Sequence, residues 1–237
     1  MKIAYFDCVN GISGDMLLGA LLNAGADNDY LLNELAKLGL EGYSIDTGVG
    51  NSYGISAAYV KINVVKDQPH RHYSDILNIL DKSNLSDKVL EQAKAVFKII
   101  AVAEAKVHGT TIDKVHFHEV GAIDSICDIV GSLVSLNYLG IEKVICSPLP
   151  IGTGTIQSAH GVLPLPAPAT LEILKEVPIR ETSIEGELVT PTGAALAVSL
   201  SSEFKQYPDM VVKNTGYGMG EKDFGHPNVL RVVIGEI

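Results

Sequence analysis

The densest chemistry in the chain is the stretch Val115-His116-Phe117-His118-Glu119-Val120-Gly121-Ala122-Ile123-Asp124-Ser125-Ile126-Cys127-Asp128. In an extended backbone alternate side chains share a face, so His116 and His118 project together. Asp124 and Asp128, four apart, share a face of the helix expected to follow, and Asp124 lies in its first turn, where a carboxylate is favoured. Imidazoles with carboxylates suit divalent transition metals such as nickel, zinc, iron and manganese, with geometry selecting among them. The same residue types also serve as hydrogen-bonded structural histidines and a helix cap, and the pattern alone leaves both readings open. A second pair, His70 and His72 around Arg71, falls in a polar loop after Pro69 and joins a metal set only if that loop reaches His116 and His118. His108, just before Gly109 at the end of a long helix, reads equally as a cation at a helix C-terminus or as a ligand.

Three further stretches combine glycine with hydroxyls. Asn10-Gly11-Ile12-Ser13-Gly14-Asp15 lies between a strand and a helix, and its Gly11, Ser13 and Gly14 amides can hold a phosphate or carboxylate. It has no Walker lysine and is not GxGxxG, so it is not a nucleotide signature. Asp7 and Asp15 offer metal-capable oxygens or ordinary caps and ion pairs. Gly152-Thr153-Gly154 and Ser158-Ala159-His160, flanked by prolines, can shape a pocket for a charged ligand. In Thr190-Pro191-Thr192-Gly193, Thr190 is a good N-cap and Pro191 fits the first helical position, so helix initiation explains most of it.

The elements that must carry these residues follow from periodicity and punctuation. A buried strand is expected over 2–7, helices over about 15–24 and 28–37, and a hairpin of 43–49 with 55–65. Residues 66–72 read as a loop, followed by helices over 74–80 and 87–107, a strand over 114–118, a helix over 124–139 and a strand over 143–146. The stretch with Pro148, Pro150, Pro164, Pro166 and Pro168 reads as extended or turning backbone. Helices over 169–176 and 191–200 precede a closing β pair, 210–215 with 229–234. The fold class expected is α/β, a mixed parallel and antiparallel sheet with packed helices, with an α+β arrangement as the alternative.

The 237 residues, 46% hydrophobic, suffice for one substantial core or two small lobes. A net charge of −10 disfavours nucleic acid and anionic membrane surfaces as partners. No signal-peptide pattern or membrane-span run is read, and Cys8, Cys127 and Cys146 lack CxxC spacing, so a cytoplasmic, reducing location is expected.

Taken together, GISGDMLLGALL, VHFHEVGAIDSICDIVG, GTGTIQSAHGVLPLPAPATLEIL and GELVTPTGAAL resemble the LarC family. These are the pyridinium-3,5-bisthiocarboxylic acid mononucleotide nickel insertion proteins, or nickel-pincer cofactor cyclometallases. The resemblance implies insertion of nickel into a pyridinium mononucleotide with two thiocarboxylates, forming two nickel–sulfur bonds and one nickel–carbon bond, for lactate racemase and related enzymes. It implies coupling to CTP hydrolysis with manganese or magnesium in a C-terminal domain. Residues 1–237 resemble only the N-terminal, nickel-handling domain, so the CTP-binding half is expected as a partner, and a homo-oligomer is left open. Relatives carry a longer histidine tract where this chain has His70-Arg71-His72. The expected assignment gives nickel to His116 and His118, with His70, His72 and Asp128 as further ligands, Glu119 or Asp124 as ligand or base, and the phosphate to Gly11, Ser13, Gly14, Gly152, Thr153, Gly154 and His160. A nickel carrier for a separate CTP-binding chain and a metal-dependent hydrolase are the competing readings.

Overall fold

The computed structural model describes residues 1–66, 71–117, 122–158 and 160–237, with His116 described through its backbone. Strand β1 (Lys2–Asp7) turns at residues 8–13 into helix α1 (Gly14–Asn23), and α2 (Asn28–Ala36) starts where the Asp27 carboxylate accepts the Tyr30 amide at 2.7 Å. Strands β2 (Tyr43–Ser52) and β3 (Ile55–Val64) form a hairpin whose two turn residues, Tyr53 and Gly54, take φ of 50° and 87°. Then come β4 (Arg71–His72), α3 (Tyr73–Lys82), α4 (Asp87–Val107), a 3-10 turn (Ile112–Lys114), β5 (His116–Phe117) and α5 (Ile123–Tyr138). The second half contains β6 (Lys143–Cys146), β7 (Leu149–Thr153), β8 (Thr155–Ser158), β9 (Gly161–Pro164), α6 (Pro168–Ile173) and β10 (Ile179–Glu185). It closes with α7 (Pro191–Leu200), β11 (Ser201–Phe204), β12 (Val211–Met219) and β13 (Val229–Glu236).

Seven strands form one mixed sheet in the order β11-β6-β1-β13-β12-β3-β2, with β1 parallel to β6 and antiparallel to β13. This is the expected α/β class. Strand alternation sends Ala4, Phe6 and Cys8 into the large core under the helices, whereas Ile3 and Tyr5 join Ile145 and Val233 on the opposite face. There the Tyr207 ring packs on Tyr5 at 4.3 Å, and buried Asp7 pairs with Arg231 and accepts the Tyr207 hydroxyl at 3.1 Å. Asp7 is thus an ion-pair partner beneath the sheet. Among the described residues no helix is long and apolar enough to cross a membrane.

Helix α1 lies directly on β12 and β3 because glycines remove the side chains between them. A Cβ on Gly216 would sit 2.1 Å from the Ala20 carbonyl oxygen, one on Gly218 would sit 1.9 Å from that of Met16, and one on Gly19 would sit 2.9 Å from that of Ala58. The helix is almost wholly apolar, with Met16, Leu17, Leu18, Ala20 and Leu21 buried, so it is sandwiched between sheet and α5 rather than lying at the surface.

Three expectations change. Residues 71–72, read as loop, are strand paired with β5, while 67–70 lie outside the described residues. The strand expected over 114–118 is described only at His116–Phe117, because Ile112–Lys114 coil into a 3-10 turn and 118–121 lie outside the described residues. Strands β10 and β11 were not anticipated. The β10 residues Ile179–Glu185 alternate exposed and half-buried, with no fully buried face to betray them.

The packing of α1 generates a stability test. Gly218→Ala should destabilise the chain by about 3 kcal/mol, the upper end of ordinary overpacking, because its methyl meets backbone that cannot rotate away. Urea denaturation reads this directly, and an unchanged midpoint would show that helix and strand are not in contact as described.

Candidate functional site

The turn after β1 is stitched to the segment before α7. The Ile12 amide donates to the Leu188 carbonyl at 2.9 Å, and the Thr190 amide donates to the Ile12 carbonyl at 3.2 Å. Gly11 and Gly193 permit this closeness, since a Cβ on either would lie within about 2.2 Å of backbone carbonyl oxygen. Thr190 caps α7 as expected, its Oγ1 accepting the Gly193 amide at 3.1 Å. Two of the sequence stretches that read separately are therefore one piece of structure.

At this seam a cavity of about 200 Å³ is lined by Ser13, Gly14, Asp15, Asp124, Asp128 and Glu187, together with Thr190, Pro191 and Thr192. Asp124 and Asp128 do share a face of α5, and both reach the cavity. Asp128 is buried, with Oδ1 lacking a hydrogen-bond partner, and its carboxylate presses so close to Gly14 that a Cβ there would lie 2.6 Å from Oδ2. Burial, then the charges of Asp15 and Asp124, push the Asp128 carboxyl well above the usual carboxylate range. Burial raises Asp15 as well, opposed by the Ser13 hydroxyl, which donates to its Oδ1, and by the Met16 amide. Asp124 is exposed and accepts the Ser125 amide at 2.7 Å, while Glu187 pairs with Lys222 at 3.4 Å. Several carboxylates facing one space with few cations is an arrangement that a divalent ion relieves.

In the antiparallel β4–β5 pair the His72 backbone stands opposite that of His116 and Arg71 opposite Phe117, so one residue of each histidine pair lies on neighbouring strands. His72 Nδ1 lies 3.2 Å from the Val115 carbonyl, and with that nitrogen donating the lone pair is on Nε2, a usual arrangement for a metal-binding imidazole. The Arg71 charge acts on Cys127 of α5, and Tyr43 bonds the same thiol, so β4 lies beside that helix. His70, His118 and Glu119 lie outside the described residues, as does the His116 side chain. Among the described residues no group of three or more His, Cys, Asp and Glu is gathered closely enough to hold a metal ion.

The glycine-rich turns turn out differently from a phosphate cradle. The Gly11 amide donates to Cys8 and the Ile12 amide to Leu188, and Ser13 and Gly14 face carboxylates, whose charge opposes a phosphate. Gly152 marks a close crossing, with a Cβ placed 1.9 Å from the Gly186 carbonyl oxygen; Thr153 accepts the Gly186 amide through its carbonyl, and Gly154 turns with φ of 94°. His160 is placed otherwise. It lines a cavity of about 280 Å³ with Glu104, His108, Ser158, Leu163 and Pro168, and Pro191 borders both this cavity and the acidic one. The His108 and His160 rings lie 4.8 Å apart, and His108 Nε2 lies 3.3 Å from Glu104 Oε2. Sequence reasoning named His108 and His160, missed Glu104, and quoted Glu187 at the head of the Thr190 stretch without a role. The four-residue spacing from Glu104 to His108 was the available signal for Glu104.

All three cysteines are free and buried. Cys8 and Cys146 lie 3.6 Å apart between sulfurs, and burial, above all, raises the Cys8 thiol and pushes Cys127 up to about 12.

A sequence model of the family described as "Nickel insertion protein" matches residues 4–237. A Desulfitobacterium hafniense protein, named pyridinium-3,5-bisthiocarboxylic acid mononucleotide nickel insertion protein, is 48% identical over 237 residues, all of this chain and 59% of its own length. A protein of the same name from Staphylococcus epidermidis is 47% identical over 232 residues, 98% of this chain and 59% of its own length. A nickel insertion relative from Geotalea daltonii is 49% identical, with 100% of this chain and 61% of the relative covered. The chain thus spans about 60% of the length of the curated relatives it matches. No solved structure matches it. With a match running over nearly its whole length, the chain belongs to the nickel insertion protein family.

Proposed function

We propose that this chain holds nickel and presents it to pyridinium-3,5-bisthiocarboxylic acid mononucleotide, acting as the nickel-handling part of a cyclometallase. The observation that supports the reading is the backbone pairing of His72 with His116 at β4–β5, ahead of the helix that brings Asp124 and Asp128 to an acidic cavity. Nickel here is cargo. The residues named for it are His70, His72, His116 and His118, with Asp128 and Asp124 as oxygen donors and Glu119 as a further candidate. Imidazole and carboxylate bind nickel firmly enough to capture it and release it to a ligand that offers two sulfurs and a carbon. The cavity beside His160 and Ser158 is the better seat for the nucleotide, since it lies apart from the carboxylates that crowd Ser13 and Gly14. The product then serves lactate racemase and related enzymes. CTP, with manganese or magnesium, acts through the portion of the relatives beyond the length matched here.

Replacing His116→Ala together with His118→Ala should weaken nickel binding by about tenfold or more while circular dichroism stays unchanged. Isothermal titration with nickel measures it, and full affinity in the folded double variant would remove these histidines from the site. For Asp128 the sign follows from linkage. A carboxyl raised in the folded state contributes stability that is complete below its unfolded pKa and is lost as pH rises through its folded pKa. The metal-free chain therefore loses stability from the ordinary carboxylate range upward, and Asp128→Asn should flatten that loss and stabilise it at pH 7 by about 1 kcal/mol, while weakening nickel binding. Urea unfolding with and without nickel gives both quantities; a variant that matches the parent in each would place the carboxylate outside the site. The chain alone should yield no CTP-dependent product and should regain activity when the remaining part carried by its relatives is supplied. Complete turnover by the chain alone would overturn that division of labour.

A further inference from the structure

Nickel is not the only thing that must move in the proposed reaction, on which this inference rests. The substrate in the relatives' name carries its two thiocarboxylates at ring positions 3 and 5, which leaves the carbon between them carrying hydrogen. For nickel to bond there, the carbon–hydrogen bond breaks heterolytically. Its electron pair becomes the carbon–nickel bond, nickel stays in the +2 state, and one proton must be taken up. The carboxylates of the acidic cavity are poorly suited to that step if they hold the ion, since a coordinated oxygen has lost basicity to the metal.

We propose that His108 is the catalytic base that accepts this proton, with Glu104 as its positioning residue. Three observations converge on it. His108 Nε2 lies 3.3 Å from Glu104 Oε2, one helical turn away on α4, so a carboxylate orients the imidazole. His108 is also the capping residue at the C-terminus of α4, which fixes its backbone at the end of that helix. The ring also borders the cavity of about 280 Å³, in which Leu163, Pro168 and Pro191 supply apolar surface for a flat ring, and His160 packs against His108 with ring centroids 4.8 Å apart. A carboxylate, an imidazole and a substrate-sized apolar cleft together make a general-base arrangement, whereas a helix-end ion pair would need only the first two. With side-chain exposure of 28% for His108, the accepted proton has a route to water.

The test uses the complete protein, this chain with the remaining part of its relatives, supplied with nickel and the bisthiocarboxylate mononucleotide. His108→Ala and the size-matched His108→Gln should each slow metallation at saturating nucleotide by about 100-fold, a typical general-base contribution, with the nucleotide KM and the nickel affinity little changed. Added imidazole should restore a substantial share of the rate to His108→Ala, and Glu104→Gln should slow the parent but not the His108→Ala variant. Parent-like rates in both His108 variants would overturn the proposal, as would slowing that imidazole does not relieve. In either case an active parent keeps the nickel-insertion reading intact. A complete protein that forms no nickel–carbon product at all would instead sink that reading, and this inference with it.

Discussion

Everything at the candidate site depends on how closely one helix can lie on one sheet. Gly19, Gly216 and Gly218 let the backbone of α1 rest on β12 and β3 without intervening side chains. That contact sets the depth of Gly14, and Gly14 is in turn what the Asp128 carboxylate presses against. A helix held one side-chain layer higher would leave no room for α5 above it in the same orientation. The carboxylates of Asp15 and Asp128 face each other because two helices with small residues at their crossing can approach as far as their backbones allow.

The resulting site keeps its charges in tension. Asp128 has an oxygen with no partner and is raised by burial and by neighbouring acids, so the metal-free fold holds an unfavourable group that ordinary stability would have replaced with an apolar one. The imidazole cavity is of another character, lined by His108 and His160 with Glu104 and by apolar residues such as Leu163 and Pro168, and Pro191 at the start of α7 borders both cavities. The sequence stretch around Thr190 and Pro191 thus does more than begin a helix: its stitching to Ile12 holds Pro191 at the border of both cavities.

Much of this was legible from residue order, for identifiable reasons. Helix α4 spans Asp87–Val107 as expected, since a long amphipathic period between Ser86 and Gly109 leaves few alternatives, and the β2–β3 hairpin was announced by its glycines. The pairing of β4 with β5 could not be read, because two-residue strands have no period and exist only through each other. Strands β10 and β11 escaped for a related reason: their pattern is polar, and their pairing partners, β7 and β6, supply the evidence of extension. At the site, the four-residue spacing of Asp124 and Asp128 predicted their common face. The local reading of residues 10–15 as an anion-binding turn missed the carboxylates that α5 and Glu187 bring to it from more than a hundred residues away. Local rules describe what a helix end prefers, and the tertiary field decides what it receives.

The three buried cysteines have a consequence for any metal the chain carries. Thiolates are the softest donors a protein owns, and nickel captured by them would be slow to leave. Here burial keeps Cys8 and Cys127 as neutral thiols inside the core, so the donors within reach of solvent are nitrogen and oxygen. In the proposed transfer, an acceptor bearing two sulfurs offers nickel softer donors than any the chain exposes to solvent.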